Sequence, residues 1–158
     1  MTVLSPMRPE AYGPYLEAAI LDYAEDNVAS GRWPREGAVE RSRADFESSL
    51  PQGLATPDNY LFEIKASENG PTLGVIWFAV QERDGIRSAF VYDLGVKAEW
   101  RRKGHATRAI QALEPLVSAL GLNCIGLHVF GQNAGAQALY ASLGYRVTGF
   151  NMTKRLGT

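Results

Sequence analysis

A run that alternates as a strand up to residue 96 hands over, within a few residues, to an amphipathic run that opens near Lys103. Between them stands Arg101-Arg102-Lys103-Gly104-His105-Ala106. A strand feeding a helix through so short a joint leaves the first N–H groups of the helix without partners, and the helix dipole adds partial positive charge there. A phosphate or pyrophosphate is the natural guest of such a turn. Gly104 has no Cβ to keep a ligand oxygen away from the backbone. The same six residues also suit a solvated basic turn, so the rest of the chain must decide between the two.

Periodicity orders the remaining elements. Residues 2–7 read as a short first strand. Residues 10–30 carry Tyr12, Leu16, Ala19, Ile20, Tyr23 and Val28 at helical spacing, and Gly31 ends that helix before Trp33-Pro34. A second helix is predicted over 35–50, stopped by Pro51 and Gly53. Residues 60–65 alternate as a strand. Residues 72–81 are nearly continuously apolar, as in a central strand buried on both faces. Asp84-Gly85 signals a hairpin into a strand over 86–96. The next helix, 103–120, points Ala106, Ile110, Leu113, Val117 and Leu120 inward. Pro115 should kink it, at about 3 kcal/mol in an unadapted helix, and Gly121 suits its end. A strand over 123–130, a short helix over 133–143 closed by Gly144, and one or two strands over 145–155 complete the order βααβββαβαβ. That is an α/β fold (α+β, mixed sheet) in a single domain, 1–158.

Composition narrows the function classes. A chain of 158 residues buries an ordinary core without staples. One cysteine excludes an internal disulfide framework and fits a reducing cytoplasm. No basic segment followed by an apolar run opens the chain, and no apolar run reaches membrane-spanning length, so neither a secretory signal nor a membrane partner is expected. A formal net charge of −1 argues against a nucleic-acid partner. The charge is unevenly spread. Residues 9–31 hold Glu10, Glu17, Asp22, Glu25 and Asp26 and no base, whereas 97–108 hold Lys97, Arg101, Arg102, Lys103 and Arg108 against Glu99. Two ligands of opposite sign would suit this split, as would two solvated helix faces.

About thirty residues after the basic loop comes Asn133-Ala134-Gly135-Ala136-Gln137-Ala138-Leu139-Tyr140, followed by Leu143-Gly144-Tyr145. Together the two segments resemble the acyl-CoA-binding core of the GNAT acetyltransferase superfamily. Arg101, Gly104 and Ala106 match its Arg/Gln-x-x-Gly-x-Gly/Ala loop, and the later stretch matches its Asn…Ala…Leu-Tyr…Leu-Gly-Tyr helix and strand. The likeness is close over 90–154 and in outline elsewhere. It implies acetyl-CoA as cosubstrate, acceptor-side helices in 1–56, an acyl-CoA-binding core in 86–145, and two parallel strands, 86–96 and 123–130, that splay at the cofactor. Backbone groups of Leu94, Gly95 and Val96 would then pair with the pantetheine arm. Gly95 fits a β-bulge, and the Val96 N–H could polarise the thioester carbonyl. Amides of Arg102, Lys103, Gly104, His105 and Ala106 would hold the pyrophosphate, with Arg101, Arg102 or Lys103 adding charge-assisted contacts. The His105 side chain reads as a passive turn residue. Asn133 would cap the last helix and could also bond pantetheine, and Ala136 and Tyr140 would line the cofactor as well.

The resemblance makes Tyr140 the candidate acid. A phenol of pKa ~10 is protonated at neutral pH and can donate to a departing thiolate; the same residue would serve as a core aromatic. An alkylamine of pKa ~10.4 must lose a proton, at roughly 4 kcal/mol at neutral pH. Asp93 is the best-placed carboxylate. Alternation sets it on the sheet face opposite Tyr92 and Leu94, as a base through water, an ammonium anchor or a structural acid. Glu63 is a weaker candidate. Cys124 reads as a small buried hydrophobe, His128 as a strand filler rather than a metal ligand, Trp77 as core and Trp33 as helix-joint packing. No metal is indicated.

The N-terminal half further resembles a bacterial branch that includes spermine/spermidine-type acetyltransferases. That likeness runs through residues 25–34, Leu50-Pro51, Gly53-Leu54-Ala55-Thr56, His128-Val129-Phe130 and Asn151-Met152. It implies a small-molecule amine acceptor, a polyamine among the options, attacked directly in a ternary complex. An aminoglycoside or protein amine, or a non-catalytic acyl-CoA-binding module, are the alternatives. A Rossmann domain is disfavoured, because Gly104-His105-Ala106 lacks the preceding glycine. A homodimer would be in keeping with the family.

Overall fold

The computed structural model describes residues 2–157, so the two ends of the expected domain, Met1 and Thr158, lie outside the described residues. The element order is β1 (Val3–Pro6), α1 (Pro9–Ala29), α2 (Ala38–Ser49), β2 (Asn59–Lys65), β3 (Thr72–Arg83), β4 (Ile86–Val96), α3 (His105–Ala119), β5 (Ile125–Leu127) and α4 (Ala134–Ser142). The strands form one sheet in the order β1-β2-β3-β4-β5. The first four are antiparallel and β5 runs parallel to β4.

Each sheet face has its own core. Ile64, Leu73, Ile76, Phe78, Ala89 and Val91 pack under Ala109, Ile110, Leu113 and Val117 of α3. Leu61 and Trp77 pack on the other face with Ile20 of α1 and Phe46 of α2. β3 supplies both layers, which is why its sequence is apolar without alternation: Ile76, Trp77 and Phe78 are all buried. Asp84 and Gly85 both take positive φ, 54° and 79°, as the two-residue turn between right-twisted strands requires. The Ser42 hydroxyl donates to the Ile20 carbonyl at 2.7 Å and ties α2 to α1 within the core.

Several expectations are corrected. α2 opens at Ala38, because Gly37 turns left-handed (φ 77°) immediately before it. α3 opens at His105, not Lys103, behind Gly104 at φ 82°. Its buried stripe runs His105, Ala109, Leu113, Val117, at steps of four, so Ala106 is only half-buried and Leu120 is exposed. Pro115 lies inside the helix without ending it. β5 spans three residues instead of eight, leaving Cys124 exposed ahead of it and His128 exposed beyond it. The bulge belongs to Tyr92 rather than Gly95. Asp93 faces Trp77 and Val91 faces Phe78 across the ladder, so Tyr92 has no opposite number, whereas Gly95 pairs regularly with Val75. No strand forms over 145–155; every residue from Arg146 to Gly157 is exposed and outside regular structure.

Candidate active site

β4 and β5 part company halfway along β4. Their ladder holds Ala89↔Ile125, Phe90↔Gly126 and Val91↔Leu127. β4 then runs five residues further with only β3 beside it, so a wedge opens along residues 92–96. The Lys97 N–H donates back to the Leu73 carbonyl at 2.7 Å. By the two-residue period of a strand, the Val96 N–H therefore points the other way, into the wedge, as does that of Leu94, which lies against the Asp93 carboxyl. Gly95 has nothing within 4 Å of where a Cβ would stand, so the wall is open at that point. Gly74 is the opposite case, since a Cβ there would sit 2.1 Å from the Gly95 carbonyl oxygen.

The bulge sets the chemistry of one side. With Tyr92 unpaired, Tyr92 and Asp93 both turn to the α1 face: Tyr92 stacks on Trp77 at 4.7 Å, and Asp93 accepts a hydrogen bond from the Tyr15 hydroxyl at 2.6 Å. Alternation alone had separated these two residues. Burial raises the Asp93 carboxyl above the usual carboxylate range; the Tyr15 bond opposes this, and the charges of Asp22 and Asp26 add to the rise. Burial and Asp93 in turn push the Tyr15 phenol well above its ordinary value. Tyr15 was not among the sequence candidates. Its signal, a tyrosine on the apolar stripe of α1, is indistinguishable from core until the partner strand is known.

The acidic first helix is less acidic than its sequence. Glu17 pairs with Arg43, and Glu25 with Arg35, both pairs exposed. Asp22 and Asp26 remain near Asp93. Glu63 is no base: its buried carboxylate accepts from Arg8 Nε and Nη2, each at 3.0 Å, from the Arg8 backbone N–H at 3.2 Å and from the Thr72 hydroxyl at 2.8 Å. These bonds, Arg8 foremost, hold it down at about 2. Trp33 meets Tyr23 edge-on at 5.6 Å under the Arg32 guanidinium.

At the other end of the wedge the basic loop has a specific shape. Arg102 and Gly104 both lie in the left-handed region, φ 62° and 82°, a conformation costly for arginine. Among the described residues no acceptor takes the N–H groups of residues 102–107; the first helical bond comes from Arg108 to the Gly104 carbonyl. Arg101 is committed elsewhere, its Nε donating to the Val96 carbonyl at 2.8 Å. Lys103 lies over the Trp100 ring at 5.1 Å. The His105 side chain is buried beside Trp100, and burial together with Arg108 lowers its pKa, so only its amide faces the loop mouth. Arg108, noted in the sequence only as charge, organises the loop. It donates to the Lys103 carbonyl at 2.8 Å and to the Thr2 hydroxyl at 3.0 Å.

α4 begins as its sequence requires. Asn133 Oδ1 accepts from the Ala136 N–H at 3.1 Å, which leaves Ala136 no free amide for a ligand. Tyr140 is half-buried, 5.5 Å from Tyr145 ring to ring. Burial, then Tyr145 and Asp93, push its phenol up to about 12.

A five-stranded mixed sheet, flanked by helices and split between its parallel strands, with unpaired amides at the head of the following helix, defines an acyltransferase of the acyl-CoA-dependent kind. The chain belongs to the acetyltransferase (GNAT) family, whose model matches residues 12–145, and it is an acetyltransferase. It is 35% identical over 157 residues to the uncharacterised N-acetyltransferase YycN of Bacillus subtilis (strain 168), covering 99% of this chain and 100% of that one. It is 30% identical to YdgE of the same organism, over 97% of each. The crystal structure of YycN superposes over 100% of both chains with a TM-score of 0.94. Members of this family use acetyl-CoA. The free amides of residues 102–107 and the open wall at Gly95 fit its diphosphate and its arm.

Proposed function

We propose that the enzyme transfers acetyl from acetyl-CoA to a primary amine of a cationic small molecule, a polyamine being the best-fitting class, within a ternary complex. The observation that carries this reading is the Tyr15–Asp93 pair on the α1 side of the wedge, with Asp22 and Asp26 close by. Opposite charge concentrates a cationic acceptor there. A carboxylate whose pKa is raised is the better acceptor for the ammonium proton, directly or through water. The bound cosubstrate supplies the activated acetyl group. The Val96 N–H is the donor to its carbonyl oxygen. The amides of Arg102, Lys103, Gly104, His105 and Ala106, with the side chains of Arg102 and Lys103, receive the diphosphate.

Tyr140 is the donor to sulfur. A phenol at about 12 lies ~3.5 units above a thiol of ~8.5, so outright transfer is uphill by ~5 kcal/mol. Tyr140 therefore works as a hydrogen-bond donor to the leaving thiolate, and solvent completes the proton transfer. Tyr140→Phe is expected to lower kcat about tenfold with KM for acetyl-CoA little changed. An unchanged kcat with chemistry rate-limiting removes Tyr140 from the mechanism.

Steady-state rates with spermidine, spermine, simple monoamines and peptide N-termini test the acceptor class. The expected order puts the polyamines first; a preference for neutral or anionic acceptors discards them. A protein amine is the second reading. It is favoured by an open surface depression between α1 and α2, lined by Asp22, Glu25, Val28, Arg35 and Val39, and the peptide arm of the same assay decides it.

A further inference from the structure

Arg108 stands one turn into α3, outside the glycine-containing loop, yet its side chain is spent on that loop. Nη2 donates to the Lys103 carbonyl at 2.8 Å and lies 3.3 Å from His105 Nδ1. Nε reaches the other way, to the Thr2 hydroxyl at 3.0 Å, just ahead of β1. The guanidinium lies against Gly104, where a Cβ would stand 2.7 Å from Nη1. None of these partners is a carboxylate, and no ion pair among the described residues includes Arg108. An arginine held by a carbonyl and a hydroxyl keeps its charge and fixes the backbone it grips.

What it fixes is one peptide plane. A trans peptide turns its carbonyl and the following N–H in opposite directions, and no peptide bond among the described residues is cis. With the Lys103 carbonyl on Arg108, the Gly104 N–H points away from the guanidinium, where no protein acceptor takes it. A peptide beside a glycine reorients readily, because glycine adopts so many conformations. An anchor on the carbonyl therefore decides which way the N–H looks. We propose that Arg108 is a positioning residue for the cosubstrate: it holds the Lys103–Gly104 peptide with the N–H toward the diphosphate, touches no ligand atom itself, and is steadied by Thr2. This rests on the reading that the amides of residues 102–106 receive the diphosphate. A donor oriented beforehand binds without a further ordering cost.

Titrations of the unaltered chain and of Arg108→Met test this, with CoA followed by calorimetry and pantetheine, which lacks the diphosphate, followed by amide shifts. Methionine keeps most of the stem and removes every donor. The variant's Kd for CoA is expected to rise about tenfold, as for one lost hydrogen bond to a charged group, while its Kd for pantetheine stays. Equal losses for both ligands mean a general loosening of the fold, and an unchanged CoA affinity means the loop needs no anchor; either overturns the proposal. The gap must also persist at ~0.5 M salt, where charge acting through space is screened within roughly 4 Å; a gap that closes there overturns it as well. Should Arg108→Met not fold, Thr2→Val decides, because it keeps the charge and removes only the tether. A CoA affinity about threefold weaker, as for one neutral hydrogen bond, supports the proposal, and an unaltered affinity ends it. Failure of the unaltered chain to take up CoA strikes the diphosphate reading itself, whereas uptake indifferent to Arg108 strikes this inference alone.

Discussion

Asp93 sits between opposed influences: burial raises its pKa, and the hydrogen bond from Tyr15 pulls it down. If Asp93 accepts the proton in its ionised form, activity rises as pH passes through its pKa, and the acid limb of kcat/KM lies above the ordinary carboxylate range. Tyr15→Phe removes the stabilising bond and should move that limb to higher pH. Asp93→Asn should remove the limb and cost about 10²-fold in kcat. A limb that stays put in Tyr15→Phe shows that Asp93 is not the titrating group. Asp93 was legible as a carboxylate on the strand before Gly95, but its neighbours were not. The Tyr92 bulge overrides alternation, and Tyr15 lies 78 positions away.

Among the elements, β4 depends on a glycine in the strand beside it. A methyl group at position 74 would stand 2.1 Å from the Gly95 oxygen, a contact only backbone movement relieves. Gly74→Ala should cost about 1–3 kcal/mol, read as a lowered denaturant midpoint, and should weaken catalysis beyond that by displacing the Val96 amide. Loss of stability at full kcat would show that Val96 is not the oxyanion donor. Most elements were readable from period and caps: the Asp84-Gly85 hairpin, the doubly buried β3, the Asn133 cap. The missing final strand was not, because alternation reports a capacity to pair and does not show that an edge is within reach. β5 shrank for a related reason, as a strand is counted only where its neighbour stays beside it.

For the molecule as a whole, Glu63 links stability to acidity. Its carboxyl is held at about 2, against an ordinary value of 4.5. A lowered native pKa gives stability that is complete above the unfolded value and lost as pH falls toward the folded one. Thermal midpoints should therefore drop between about pH 5 and pH 2. Glu63→Ala should flatten that part of the profile while costing about 2 kcal/mol at neutral pH, a figure reduced because Arg8 is 52% exposed. A profile equally steep in the variant assigns the acid sensitivity to other carboxylates.

The unpaired tyrosine of β4 also bears on any effort to rebuild this chemistry in another scaffold. In an unbroken ladder, position 93 would point into the apolar layer beneath α3, and a carboxylate there would be stranded in hydrocarbon. A copy that keeps Tyr92 but presses it into register with β3 would turn Asp93 away from Tyr15.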